Sequence, residues 1–425
     1  MTKIFKFGGA SIRDAAAIRN VATILDQYRN EKLVIVVSAL GKTTNALEEI
    51  TNAYFYGKGD AHALLQKLRD QHQQILQGLF TEPGHPVFDD INNTFVEIEW
   101  ILEDEPHDKY DYIYDQIVSI GEMVATKMVS HYLNYKNIPA KWLDVRDYIR
   151  TDNTYREGKV NWELTEKNIR EKIPPLLETQ FVLTQGFLGG TSENYTTTLG
   201  REGSDYTAAI FGYSLDAEEV TIWKDVPGVL NADPRYFPEA EKIDTLSYHE
   251  AIEMTYYGAT VIHPKTIKPL QNKKIGLHVR SFIDFKKEGT RIGETVGEQL
   301  SPVLVLKRDQ VLISMAAKDF SFIAEENLSF IFSAFSRYRV KVNMMQNAAI
   351  SFSVCADDNE KIEPMLEELS ESFNLKTNDH LDLLTIRHYS DEVADKYAAG
   401  KDILLEQKSR LTMQLVMRSG EYKRE

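Results

Sequence analysis

The stretch "KIFKFGGASI" (residues 3–12) sets a short apolar strand against a charge. Ile4, Phe5 and Phe7 read as buried, yet Lys6 stands among them, and Gly8, Gly9 and Ser11 follow at once. An ammonium group in apolar surroundings is costly unless an anion meets it. Glycines directly after a strand let the backbone approach a ligand closely. In open parallel sheets, ligands collect beyond the carboxyl ends of the strands. A strand that ends in a lysine and a glycine pair therefore points to an anion site on such a sheet.

The residues further along fit that sheet. "ASIRDAAAIRNVATILDQY" after the first strand is helical, and "KLVIVVSAL" is a continuous apolar run of the kind buried on both faces. Residues 44–80 read as helix interrupted at "YGKGD". Residues 81–113 read as irregular, with a helical piece near "VEIEWILED". A helix over 115–137 carries Ile120, Val124 and Met128 on one stripe, with Glu122 off it. "AKWLDV", "QFVLTQGFLGG" and "EEVTIWKD" read as strands, separated by helices that include "SDYTAAIFGYSL". This alternation predicts an α/β domain over 1–296, a mostly parallel central sheet with helices on both faces. The glycine- and charge-rich stretch 288–302 reads as a linker. Beyond it, "SPVLVLKRDQVLISMAA", "ENLSFIFSAFSRYR", "VKVNMM", "AISFSVCA" and "NEKIEPMLEELSESF" give an α+β module over 303–374. A shortened second module, intertwined with the first, is expected over 375–425.

Composition narrows the partners. The formal net charge of the 425 residues is -15, which repels nucleic acid and anionic membranes overall while leaving room for a small anion in a local basic pocket. The single cysteine, Cys355, excludes an intrachain disulfide and fits a reducing compartment. With no signal-like or membrane-spanning run, the expected location is cytoplasmic.

Polar groups converge after each predicted strand. Lys6, Gly8, Gly9 and Ser11 follow the first, and Ser38, Gly41 and Thr44 the second. Gly186, Gly189 and Gly190 follow "FVLTQ" and lead into "TTTLGREGSDYTAA"; "KDVPGVLNADPR" follows "VTIW". Such loops, with helix N-termini, suit a polyphosphate. "GKTT" (41–44) is no P-loop, since Val36 stands where the first glycine is needed, and "GREGSD" has the wrong spacing for a dinucleotide fingerprint. The phosphate grip is of another kind.

Taken in order, "KFGGAS", "SIGE" (119–122), "GREGSDYTAA", "WKDVPGVLNADPR" and "GATVIHP" (258–264) resemble the segments of aspartate kinases, and the C-terminal part resembles their ACT regulatory domains. The resemblance implies an amino-acid kinase fold and transfer of the γ-phosphoryl group of MgATP to the β-carboxylate of L-aspartate; since the sequence stops after the second module, no fused dehydrogenase is expected. The resemblance also implies that Lys6 bridges the phosphates, with Gly8, Gly9 and Ser11 beside them. Ser38, Thr44, Glu122, Arg201 and Ser204 would hold aspartate, Glu122 through its ammonium and Arg201 through a carboxylate. Asp205 would orient Lys6 or a metal-bound water; Mg2+ would be held mainly through the nucleotide phosphates. Lys224, Asp225, Leu230, Arg235 and Thr260 would border the nucleotide. Asn343, Gln346 and Asn347 would meet an amino-acid effector, lysine or threonine in the family, and a homodimer or larger assembly would form through the ACT region.

Three residues depart from the pattern. Glu202 replaces a glycine, Leu230 a tyrosine, and Thr260 stands where many members carry a lysine whose charge Lys224 could restore. They motivate an alternative reading, an amino-acid sensor with a decayed kinase site; another kinase of the same fold, such as an acetylglutamate kinase, is a further alternative. Joint retention of Lys6, Glu122, Arg201 and Asp205 favours the active enzyme.

Overall fold

The structure is a computed structural model and describes residues 1–259, 262–294, 301–319 and 322–420. By their internal contacts these residues form two units, and the chain passes between them more than once: Met1–Val229, Ile243–Ile252 and Val261–Val296 make the first, and Leu230–Lys242, Glu253–Thr260 and Gly297–Glu425 the second.

The strands outside the C-terminal region are β1 (Thr2–Phe7), β2 (Lys32–Val37), β3 (Ala140–Leu143), β4 (Phe181–Gln185), β5 (Leu188–Gly190), β6 (Thr196–Thr198), β7 (Glu219–Lys224), β8 (Thr245–Ser247), β9 (Gly276–Ser281) and β10 (Thr290–Gly293). Eight of them form one sheet in the order β3-β4-β2-β1-β7-β9-β10-β8, parallel throughout except for the β9–β10 pair. The helices are α1 (Ala15–Asp26), α2 (Thr43–Tyr56), α3 (Ala61–Leu79), α4 (Val87–Glu103), α5 (Tyr110–Tyr135), α6 (Trp162–Lys172), α7 (Gly203–Ser214), α8 (Tyr248–Tyr257) and α9 (Pro264–Asn272). Side chains alternate across β1 as the two-residue period requires. Phe5 and Phe7 join a buried cluster with residues of α1–α5, and Trp223 of β7 stacks on Phe7. Ile4 and Lys6 face the other way, toward α7.

Four local expectations change. Residues 87–103, expected to be mostly irregular, form the whole of α4, whose apolar Val87, Ile91, Phe95, Ile98 and Leu102 make a buried stripe just after Pro86. "QFVLTQGFLGG" is two strands, not one. The chain turns at Phe187, which has a left-handed backbone (φ 71), and β5 leaves the main sheet to pair with β6. Part of the expected linker, β10, belongs to the sheet through β9 and β8. Glu122, expected to lie off the apolar stripe of its helix, is buried nonetheless, because α5 is enclosed on most sides.

The second unit contains β11 (Val303–Ala317), α10 (Glu325–Arg337), β12 (Val342–Asn347), β13 (Ser351–Asp357), α11 (Ile362–Ser370), β14 (Phe373–Arg387), α12 (Asp391–Ala398), β15 (Ile403–Lys408) and β16 (Thr412–Arg418). Its strands make one antiparallel sheet ordered β12-β13-β11-β14-β16-β15. The long central strands β11 and β14 pair from Val303–Arg387 to Ala317–Phe373, with a register break near Asp309. The two C-terminal modules therefore share a single sheet.

Candidate active site

The site is built where β1, β2 and β7 end side by side. Lys6 sits opposite Val36 of β2 and Ile222 of β7 in the parallel register. Its Nζ lies 2.6 Å from Oδ1 of Asp205, in the first turn of α7, and both side chains are largely shielded from water. Lys6 and Lys224, at the end of β7, together hold the Asp205 carboxyl below its ordinary range despite burial that pushes it up. The lysine is thus the cation of a buried pair, which explains how the first strand tolerates it.

Around that pair the loops come close because glycines allow it. A side chain on Gly8 would begin 3.2 Å from the Lys6 Nζ, so glycine leaves the ammonium uncovered. A Cβ on Gly9 would meet the carbonyls of Gly41 and Ala39 at 2.8 and 2.9 Å, and Gly41 N–H donates to the Gly9 carbonyl at 3.1 Å. The loops after β1 and β2 are thereby locked together. Ser38 N–H donates to the Phe7 carbonyl at 3.1 Å, and Thr44 is the second residue of α2, both half-buried. Ser11 behaves differently from expectation. It is fully buried, and its hydroxyl donates to the Gly8 carbonyl at 2.6 Å, so it shapes the turn.

Glu122 lies on α5, brought against the β2 loop by Gly121, where a Cβ would press on Leu47, Thr43 and Ala39 at 2.9–3.2 Å. Its Oε1 accepts from the Ala39 N–H at 3.3 Å; Oε2 is buried and has no hydrogen-bond partner among the described residues. Burial pushes this carboxyl up to about 8, with the Lys6 charge opposing the rise. An acid in this state is poised to ionise when a cation arrives.

The start of α7 approaches the end of β4 at Gly186, where a Cβ would sit 2.8 Å from the Ser204 Cα. Arg201 precedes this helix, is exposed, and forms no ion pair with any described residue. Glu202 occupies the helix cap with a left-handed backbone (φ 54), a conformation that suits the glycine usual there. Its Oε2 accepts from the His263 N–H at 2.8 Å, and His263 caps the N-terminus of α9. The extra carboxylate is therefore engaged by a helix end, where a negative charge is favoured.

Lys224 is half-buried and Asp225 exposed at the end of β7. Leu230 and Arg235 group with the second unit: Leu230 bridges Lys242, and the Arg235 guanidinium is held by both carboxylate oxygens of Asp233. Thr260 lies outside the described residues. In the second unit, Asn343 is fully engaged. Its amide donates to Gln310 Oε1 at 2.8 Å and to Asp357 Oδ1 at 2.7 Å, and it accepts from Lys307 Nζ at 2.6 Å. Gln346 and Asn347 are exposed on the edge strand β12.

Two residues escaped the sequence reading. Asp115 is buried on α5 and tied to β6, and its only signal was a carboxylate seven residues before Glu122. His72 of α3 is buried, takes the Leu68 carbonyl on Nδ1 at 2.8 Å, and faces the Thr43 hydroxyl with Nε2 at 3.4 Å. Nothing in the local sequence marks it.

Comparison with known proteins bears on this arrangement directly. Residues 1–281 match the amino acid kinase family. The aspartokinase of Chlamydia trachomatis is 33% identical to this chain over 73% of it and 69% of that protein. The chain belongs to the aspartokinases of the amino acid kinase family. The lysine-sensitive aspartokinase 3 of Escherichia coli is 28% identical over 94% of the chain and 89% of its own length. The solved structure of E. coli aspartokinase III with aspartate and ADP superposes with a TM-score of 0.82 at 26% identity, covering 98% of this chain and 96% of that one. The fold is thus the amino-acid kinase fold, and the antiparallel sheet of the second unit is consistent with ACT domains.

Proposed function

We infer that the chain transfers the γ-phosphoryl group of MgATP to the β-carboxylate of L-aspartate, giving 4-phospho-L-aspartate and ADP. The observation that carries the placement of the chemistry is the buried Lys6–Asp205 pair at the glycine-lined end of β1, with an unpartnered Glu122 oxygen nearby on α5. Aspartate's side-chain acid has a reference pKa of about 3.9, so the acceptor oxygen is already ionised and needs no general base. The carboxylate oxygen attacks the γ-phosphorus as the bond to the ADP oxygen breaks, and no proton moves. What remains is to bring two anions together, which is a task of position and charge. Lys6, oriented by Asp205, neutralises the phosphoryl oxygens in transit. Lys224 adds a second positive charge beside the nucleotide. Mg2+ enters with the nucleotide as its counterion. Glu122 takes the substrate ammonium on Oε2 and Arg201 takes a carboxylate through its planar fork; Ser38, Thr44 and Ser204 complete the aspartate wall.

The named E. coli relative is lysine-sensitive, which supports an amino-acid effector acting through the second unit. The commitment of Asn343 to Lys307, Gln310 and Asp357 favours Gln346 and Asn347 as the effector-facing groups. Exposed Phe332, Met345 and Ile350 in this unit support assembly of two copies through it, and the single cysteine, a buried free thiol, fits a cytoplasmic location.

A hydroxamate assay with aspartate and MgATP, repeated with lysine, threonine and methionine, tests the reading. Acyl phosphate is expected with aspartate and none with N-acetylglutamate; no product with aspartate would return the chain to the sensor alternative.

A further inference from the structure

Asp115 is fully buried, and its hydrogen-bond partners among the described residues, Arg156 and Thr198, are none of the groups assigned to substrate. Both of its oxygens are used. Oδ1 accepts from the Thr198 hydroxyl at 2.8 Å, and Oδ2 accepts from the Thr198 N–H at 2.9 Å and the Arg156 N–H at 2.9 Å. The Arg156 guanidinium lies over the Tyr114 ring at 4.3 Å and turns its charge toward Glu48 and Asp111. The carboxylate thus binds backbone and a hydroxyl, and makes no salt bridge among the described residues.

The three donors tie together separate pieces of chain. Asp115 lies on α5 seven residues before Glu122, a spacing that puts both on one face of the helix. Thr198 ends β6, and its carbonyl accepts from the Gly158 N–H at 2.8 Å, so the 156–158 turn is fastened at two points. Leu199 N–H then donates to the Phe187 carbonyl at 2.8 Å, and Gly200, with φ 75, turns the chain into Arg201. One buried carboxylate therefore couples the helix that bears Glu122 to the segment that bears Arg201.

We propose that Asp115 is a positioning residue for aspartate, fixing the separation between the ammonium partner Glu122 and the carboxylate partner Arg201. The inference rests on the reading that those two residues hold aspartate. An ionised acceptor makes stronger bonds than a neutral one, and a lost partner leaves buried donors unmet. A brace of this kind does not reach the nucleotide groups on β1 and β7. Its loss is felt in aspartate binding, whereas a purely structural role would depress every parameter alike.

The test is steady-state kinetics of the full chain carrying Asp115→Asn, Thr198→Val, Thr198→Ser or Arg201→Ala. Thr198→Val removes one hydrogen bond without burying a new charge, and it keeps the test informative if Asp115→Asn does not fold. KM for aspartate should rise about tenfold in Asp115→Asn and several-fold, on the order of 3 to 10, in Thr198→Val. KM for ATP should change less than about twofold in either. Thr198→Ser, which retains the hydroxyl, should restore the aspartate KM. An unchanged aspartate KM in folded Thr198→Val, or equal rises for both substrates, overturns the proposal while a raised aspartate KM in Arg201→Ala leaves the site reading standing. If Arg201→Ala also leaves aspartate KM unchanged, the site reading itself falls and the positioning role falls with it.

Discussion

The proposed chemistry of this chain turns on three ionisable side chains that water scarcely reaches. Lys6 and Asp205 neutralise each other, so removing Lys6 strips a buried carboxylate of its 2.6 Å partner, at a cost of up to about 3–5 kcal/mol that the nearby Lys224 charge offsets in part. Lys6→Met should therefore lower kcat and also depress Tm. Adding Asp205→Asn should recover most of the Tm and none of the kcat, a separation that calorimetry and the hydroxamate assay read together. Glu122 poses a different case. Its folded carboxyl keeps its proton to about 8, far above the 4.5 of an ordinary glutamate, because burial disfavours the charge. The folded state then holds more protons than the unfolded chain between those values, so this group's contribution to stability declines as pH rises through that window. Glu122→Gln removes the decline. Its Tm advantage over the parent should be small near pH 5 and grow toward pH 8, worth on the order of a few kcal/mol. Substrate binding works in the opposite direction. The parent's aspartate KM should fall as pH rises from about 6.5 to about 8.5, and the glutamine variant should show a high KM without that slope.

At the scale of elements, the site depends on how closely helices and strand ends approach. Gly186 lets the end of β4 meet the first turn of α7, which carries Ser204 and Asp205. The atoms a Cβ would strike include the Ser204 backbone, which cannot swing aside, so Gly186→Ala must displace the helix start. A loss of about 1–3 kcal/mol in stability, with sharply reduced kcat, is expected by denaturant unfolding and assay. Gly84→Ala, where a Cβ meets nothing within 4 Å, is the control and should lie within about 0.5 kcal/mol of the parent. Similarly, Gly121 rather than the apolar pattern of α5 decides that Glu122 reaches the Ala39 amide. That pattern placed Glu122 off the buried stripe. Helical periodicity reports one contact face, and α5 is covered on several.

Over the whole molecule, the family match ends at residue 281, but the chain's contacts do not divide there. Residues 230–242 and 253–260 group with the C-terminal unit. Leu304 N–H donates to the Asn231 carbonyl at 2.7 Å, Arg387 Nη1 meets Glu253 Oε2 at 2.8 Å, and Phe237 packs among Leu304, Leu384 and Ile386. A chain truncated after Gly293 would leave those segments without partners. It should express as an aggregation-prone protein with little aspartate-dependent activity, measured against the full chain by size-exclusion chromatography and the hydroxamate assay. What the sequence alone determined was local. The apolar runs specified the parallel sheet, the glycines after each strand marked the rim proposed to hold the anionic ligands, and the ordered segments from "KFGGAS" to "GATVIHP" pointed to the family. These are properties of short stretches, set by side-chain period and backbone freedom. Only the tertiary structure decided that Lys6 is paired with Asp205, that Glu122 keeps an unpartnered oxygen, that Glu202 is drawn to the start of α9, and that Asp115 joins α5 to β6. Each of those facts depends on which residues meet from distant parts of the chain and on how little water reaches them, and neither contact nor dielectric is written in a residue's own neighbours.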